Sequence, residues 1–166
     1  MADDEIVAIV DENNRVIGSS TRREMRCKRL IHRATYIFVF NGRGELFVQK
    51  RTTIKDMYPG YYDLAAGGVV LDGESYELSA EREVAEELGV TNTALKSVFD
   101  FFYEDDLNQI WGRVFSCVYD GELVLQAEEV ESGEYLSVEA IVARRLSPVT
   151  PDTRLAWNRY LAENER

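Results

Sequence analysis

The chain is predicted to fold as an α/β protein, an α/β/α sandwich around a mixed β-sheet. Three observations predict this. Short apolar stretches punctuated by turn residues read as strands, and amphipathic stretches at residues 74–88 and after Thr150-Pro151 read as helices. A length of 166 residues with 45% hydrophobic content is enough for one sizeable core. No repeat, linker or low-complexity stretch interrupts it, so residues 1–166 read as one domain, with 1–30 as an N-terminal extension packed on it.

The elements follow in order. Ile6–Val10 and Arg15–Gly18 form a hairpin around Asp11-Glu12-Asn13-Asn14. Residues 21–29 carry Arg22, Arg23, Arg26, Lys28 and Arg29, a basic cluster that either faces an anion or partner subunit or is a solvated face. Ala34–Phe40 and Glu45–Gln49 form a second hairpin across Asn41-Gly42-Arg43-Gly44. A loop with Lys50, Arg51, Lys55 and Pro59-Gly60 follows, and Tyr61–Val70 leads into a helix. That helix begins at Glu74 or Ser75, after the Asp72-Gly73 turn, and ends near Leu88 with Gly89 as its stop. Ala94–Tyr103 and Ile110–Tyr119 are strands, and Gly112 marks a bulge or a close approach. Glu122–Leu125 extends the sheet, and a short helix runs from the Ser137 cap to about Arg145. Pro151 opens the final helix, which turns Leu155, Trp157, Tyr160 and Leu161 toward the sheet.

The helix at 74–88 carries the chemistry. Ala80, Val84 and Leu88 make one apolar stripe, and Glu83, Glu86 and Glu87 gather beside it at i, i+3 and i+4. Like charges at these spacings destabilise an isolated helix by roughly 0.2–0.5 kcal/mol per pair. A divalent cation explains the grouping better than a solvated acidic face, and carboxylate oxygens suit Mg2+ or Mn2+ rather than zinc. Arg82 can pair with Glu86 one turn on and orient a ligand. Gly67 and Gly68 let the backbone come close to a ligand. Lys50, Arg51 and Lys55 are candidates for holding phosphate, Arg51 in bidentate form.

A net charge of -11 argues against a nucleic-acid polymer or an anionic membrane as partner. It does not argue against a small phosphorylated substrate, because bound metal reverses the local potential. Cys27 and Cys117 are too few for a disulfide framework. The start MADDEIVAIV has no signal-peptide pattern, and no apolar run is long enough to span a bilayer, so the expected location is cytoplasmic. A homodimer is a possible assembly through the N-terminal hairpin and basic segment.

Gly68, Glu74, Arg82, Glu83, Val84, Glu86, Glu87, Gly89 and Val90 stand in the order G-x5-E-x7-R-E-hydrophobic-x-E-E-x-G-hydrophobic. This pattern resembles the complete signature of the Nudix hydrolase family. The resemblance implies a diphosphate-cleaving enzyme in which Glu83 and Glu87, the Gly68 carbonyl and a further ion at Glu86 engage metal. It also implies a catalytic base on the helix, Glu86 or Glu87, or on a later loop, where Glu129 and Glu131 are the candidates. From Glu5 to Val90 the chain is similar to the Nudix branch that includes isopentenyl diphosphate isomerase, through Leu30-Ile31-His32-Arg33-Ala34, Gly44-Glu45-Leu46 and Lys55 with Pro59-Gly60. Where that isomerase has a cysteine before Gly-His, this chain reads Gly67-Gly68-Val69. Met25 stands at one of its histidine ligand positions, His32 remains, and its later glutamates would lie near Asn108 and Ile110.

The expected function is therefore Mg2+-dependent hydrolysis of a small nucleoside diphosphate derivative or related organic pyrophosphate. Isomerase activity is opposed by the missing thiol, and a noncatalytic diphosphate-binding role by the full glutamate set. His32 reads as structural or as a substrate contact. Phe101, Phe102, Tyr103 and Trp111 read as core or as a surface for stacking a base.

Overall fold

The computed structural model describes residues 2–55 and 57–164. Met1, Asp56 and Glu165-Arg166, at the ends of the expected domain and in its Lys55–Gly60 loop, lie outside the described residues. After a single 3-10 turn at Ala2–Asp4, the elements are β1 (Ile6–Val10), β2 (Val16–Thr21), α1 (Arg22–Lys28), β3 (Ile31–Phe40), β4 (Leu46–Arg51) and β5 (Tyr62–Asp63). The rest are α2 (Tyr76–Leu88), β6 (Lys96–Glu104), β7 (Gln109–Val118), β8 (Val130–Leu136), α3 (Val138–Arg144) and α4 (Pro151–Asn164). No helix among the described residues is long and apolar enough to cross a membrane.

The sheet is mixed. β3 pairs in parallel with β7 from Ile31↔Gln109 to Phe40↔Val118, and β7 pairs antiparallel with β6. β4 lies between β5 and β8, antiparallel to both. β3 and β4 meet at Phe40↔Leu46 beside their turn. The period-2 alternation of β3 divides the core. Ala34, Tyr36 and Phe38 face a cluster with Ala156 and Trp157 of α4, while Ile37 and Val39 face Ala80, Val84 and Leu88 of α2. Helices on both faces of a mixed sheet make the expected α/β/α sandwich.

The structure refines the sequence reading at four places. The basic run at residues 21–29 contains α1, capped by the Thr21 side chain, and Met25 of this helix is only 1% exposed. Glu122–Leu125 is not a strand. Val124 N–H and Gln126 N–H donate to the Leu88 and Glu87 carbonyls, so this segment satisfies the open end of α2. The strand lies further on, at Val130–Leu136, where Val130 and Leu136 are buried and residues 131–134 are exposed. Gly112 marks a close approach by rings rather than a bulge: a Cβ there would meet Phe101 and Tyr36 ring atoms at 2.6–2.7 Å.

Candidate active site

The glutamate helix is set by its ends. Ser75 Oγ accepts from Leu78 N–H at 3.1 Å, and Gly89 takes the left-handed conformation at φ 69°. Tyr76, Ala80, Val84 and Leu88 are buried against the sheet. This fixes the rotation of the helix and carries Glu83 and Glu87 to the edge of the core.

Glu87 is 7% exposed and its Oε2 accepts from Gln49 Nε2 at 3.2 Å. Burial, and then the neighbouring Glu83, push its carboxyl up to about 8. Burial also raises Glu83, against the opposing pull of Arg82. Arg82 forms a two-pronged pair with Glu74 at 2.8 and 3.0 Å and reaches Glu83 at 3.0 Å. Its expected partner Glu86 is also in reach, at 3.4 Å. Glu74 in turn accepts from Leu71 N–H at 3.1 Å, tying helix to loop. Arg82 and Glu74 therefore hold Glu83 in place against the glycine loop.

That loop runs beside β3. Thr35 N–H donates to the Gly68 carbonyl at 2.9 Å, and Ile37 and Ala66 exchange both backbone bonds. Gly67 sits at φ 142° with Thr35 O only 1.9 Å from where a Cβ would be, so its close approach is to β3 itself. At Gly68 a Cβ would lie 2.5–2.9 Å from the Glu83 carboxylate atoms. The space that a side chain would fill is where Glu83 rests.

These residues fit a hard divalent cation. Two neighbouring carboxylates with raised proton affinity, one of them buried, are a donor pair that a cation would relieve. Glu86 is half exposed. Among the described residues, no three acidic, histidine or cysteine side chains are placed to hold an ion as they stand.

A cleft partly open to solvent adjoins Gly67-Gly68. Among the described residues lining it, Arg22, Arg26, Arg51 and Lys55 outnumber Asp63 and Asp152. Arg51 lines it with its guanidinium engaged: Nη1 donates to Asp63 at 2.9 Å, and Nε and Nη2 donate to the Met57 carbonyl. Lys55 Nζ pairs closely with Glu129, and burial, then Arg51, bring it down to about 8. Lys50 stands apart from the cleft lining, paired with Glu131 at 3.6 Å. Glu129 is within reach of the cleft through Lys55, whereas Glu131 is half exposed beside Lys50.

His32 is buried in β3 on the cleft wall. Burial brings its imidazole down to about 4, so it is neutral near pH 7. Phe101 and Tyr103 are core, and Phe102 and Trp111 pair with each other at 5.4 Å, so none of the four lines the cleft. Tyr36 and Tyr58 line it instead. Asp63 accepts from Thr150 Oγ1 at 2.6 Å, and Asp152 accepts from the Tyr36 hydroxyl at 2.8 Å. Sequence reasoning put Arg22 and Arg26 in a basic cluster whose anion-facing reading stayed open, and named neither Asp63 nor Asp152. The signal for the first two was their spacing around Met25; the aspartates gave none.

A NUDIX domain model matches residues 30–156. The chain is 46% identical to an uncharacterised Nudix hydrolase of Pseudomonas aeruginosa over 161 residues, covering 96% of this chain and 95% of that one. It is 45% identical to another from Yersinia pestis over 160 residues, covering 96% and 87%. The crystal structure of DR0079 from Deinococcus radiodurans is similar with a TM-score of 0.79 and 25% identity, over 93% of this chain and 98% of that one. The chain belongs to the Nudix hydrolase family.

Proposed function

We propose that this protein is a Mg2+-dependent hydrolase, with Mn2+ as a possible substitute, that cleaves a diphosphate linkage in a nucleoside diphosphate derivative or related organic pyrophosphate. The observation that carries this reading is the seating of Glu83, with buried Glu87 as its neighbour, against Gly68, which itself lines a cation-lined cleft. In the reaction a water oxygen bonds to phosphorus, the bridging P–O bond breaks, and the water proton passes to a carboxylate. A divalent cation, when bound, neutralises phosphoryl charge and acidifies the attacking water.

The chain's own groups divide the remaining work. Glu83 and Glu87 hold the cation, with the Gly68 carbonyl and Glu86 as further ligands. Glu86, Glu87, Glu129 and Glu131 are the candidates to take the proton, and Glu129 is favoured over Glu131 by its pairing with cleft-lining Lys55. Lys55 holds a phosphoryl oxygen, whereas Arg51 positions the loop through Asp63 and Met57. Isomerase chemistry is disfavoured. A cysteine at position 67 would drive its Cβ into the Thr35 carbonyl.

The test is a product-resolved turnover screen over nucleotide sugars, dinucleotides, nucleoside triphosphates, coenzyme A, ADP-ribose and isopentenyl diphosphate. It is run with Mg2+ and Mn2+ beside Glu87→Gln. Metal-dependent release of a monophosphate product, lost in the variant, is expected. Allylic product, or no turnover by folded, metal-bound protein across the panel, would sink the reading.

A further inference from the structure

The N-terminal segment reaches into the cleft. α1 is anchored by Met25, which packs with Val7, Ile9 and Val69. Val69 directly follows the Gly67-Gly68 pair, so the anchor is on the loop that seats Glu83. Arg22, Met25 and Arg26 are spaced i, i+3 and i+4 and share one face of the helix. With the methionine fixed, both arginines are aimed at the cleft that they line. Arg26 Nη1 donates to Asn108 Oδ1 at 3.1 Å, which sets it against the wall. Arg22 reaches Glu5 at 3.5 Å, a partly exposed pair of small energetic weight.

Among the described residues, three carboxylates at or beside the cleft have partners of their own. Asp63 takes Arg51 and Thr150, Glu129 takes Lys55, and Asp152, raised by burial, takes the Tyr36 hydroxyl. Arg22 lies close enough to Lys55 to act on it electrostatically. Burial and Arg51 are the larger causes of the depression of Lys55, and Arg22 adds to it. Arg22, Arg26 and Lys55 line the same cleft as Gly68, against which Glu83 rests, so a diphosphate whose near phosphoryl group met the glutamates would carry its far one toward these cations.

We propose that Arg22, flanked by Lys55 and Arg26, holds the phosphoryl group remote from the glutamates, making the N-terminal segment a specificity element that selects diphosphates over monophosphates. This rests on the hydrolase reading above for the location of the near phosphoryl group. It adds a substrate-holding role for α1, whose positive charge stands out in an acidic chain.

The probe is methylenediphosphonate, which has no hydrolysable bridge, titrated calorimetrically into the Mg2+-supplemented full-length chain, with inorganic phosphate as the single-phosphoryl control. Arg22→Gln is expected to weaken diphosphonate binding about tenfold or more, the range for a lost charge-assisted contact. It should leave phosphate binding and Mn2+ binding within twofold. Arg22→Lys, which keeps the charge, should recover most of the loss, and the Arg22→Gln/Arg26→Gln pair should lose more. Because Arg26 also braces the wall, the deciding comparison is Arg22→Gln against the unmodified chain at unchanged thermal midpoint.

Diphosphonate affinity within twofold of the unmodified chain in that variant overturns the proposal, as does failure of the folded chain to bind diphosphonate. The two readings fail separately. Arg22-dependent binding without turnover of any organic diphosphate removes the hydrolase and keeps the diphosphate site. Turnover with unchanged KM in Arg22→Gln keeps the hydrolase and removes the proposed role of Arg22.

Discussion

Two adjacent glycines separate scaffold from site. Replacing Gly68 with alanine places a Cβ 2.5 Å from a Glu83 carboxylate oxygen, and ordinary contact begins at 3.4 Å, so the carboxylate must retreat by about 0.9 Å. The obstructing atoms are the far end of a flexible side chain, and an off-rotamer shift of that kind costs about 0.5–1.5 kcal/mol. Metal ligation tolerates only about 0.2 Å of error. Gly68→Ala should therefore stay folded with a small loss of stability, while Mn2+ affinity falls by on the order of tenfold or more. Gly67→Ala is different: its Cβ would lie 1.9 Å from the Thr35 backbone oxygen, at φ 142°. No side chain can turn aside there, and the loss should be at least about 3 kcal/mol. Thermal unfolding and Mn2+ titration of both variants make the assay. Wild-type Mn2+ affinity in Gly68→Ala would refute the placement of Glu83 as a ligand, and equal destabilisation by both variants would refute the separation of site from scaffold.

Three further outcomes are expected. Glu87 in the metal-free protein has its proton affinity raised to about 8 from an ordinary 4.5, so the folded state binds more protons than the unfolded one between those values. Stability of the metal-free chain must then fall as pH rises through that window, by up to about 5 kcal/mol in all. Glu87→Gln should flatten the slope in chemical denaturation at pH 5 and pH 8, and an undiminished slope would assign it to other groups. Gln49→Leu removes a donor to the Glu87 carboxylate, so Mn2+ affinity at pH 7 should drop about tenfold; an unchanged isotherm would show that the bond does not orient the ligand. Met25→Ala empties a fully buried position beneath α1 and should cost about 2–5 kcal/mol by denaturant melt, a loss below 0.5 kcal/mol contradicting the packing.

The glutamate helix was legible because several local signals agree: a serine cap, a glycine stop, a 3.6-residue apolar stripe and the charges beside it. β3 and β7 were legible as apolar runs because both are largely buried in the sheet. β8 was not, since Val-Glu-Ser-Gly-Glu-Tyr-Leu shows four exposed residues in a row and is held by backbone pairing with β4. Gly133 looks like a strand breaker, yet it is needed where the Phe47 ring would meet any Cβ at 2.3 Å. Glu122–Leu125 has strand-like residues, but the N–H groups of Val124 and Gln126 are taken by the end of α2.

At the site, local pattern gave the glutamates and the glycine loop. Tertiary contact decided the rest. Arg51 is a good phosphate donor by type, but Asp63 reaches its fork first. Asp63 and Asp152 are distant in sequence and come to one cleft only because β5 and α4 pack together through Thr150 and Thr153. The basic run at residues 21–29 left its solvated and anion-facing readings open, and only the fold shows that buried Met25 sits between two arginines, Arg22 and Arg26, that line the cleft.

Everything proposed for the reaction depends on Glu83, Glu87 and the Gly68 carbonyl forming a divalent-cation site beside the cleft that Gly68 lines. Anomalous diffraction from crystals grown with saturating Mn2+ tests this most directly. A peak within ligand distance of all three groups, absent in Glu87→Gln crystals, is the predicted result. A well-ordered map with no peak there, or with Mn2+ bound elsewhere in the chain, would contradict it.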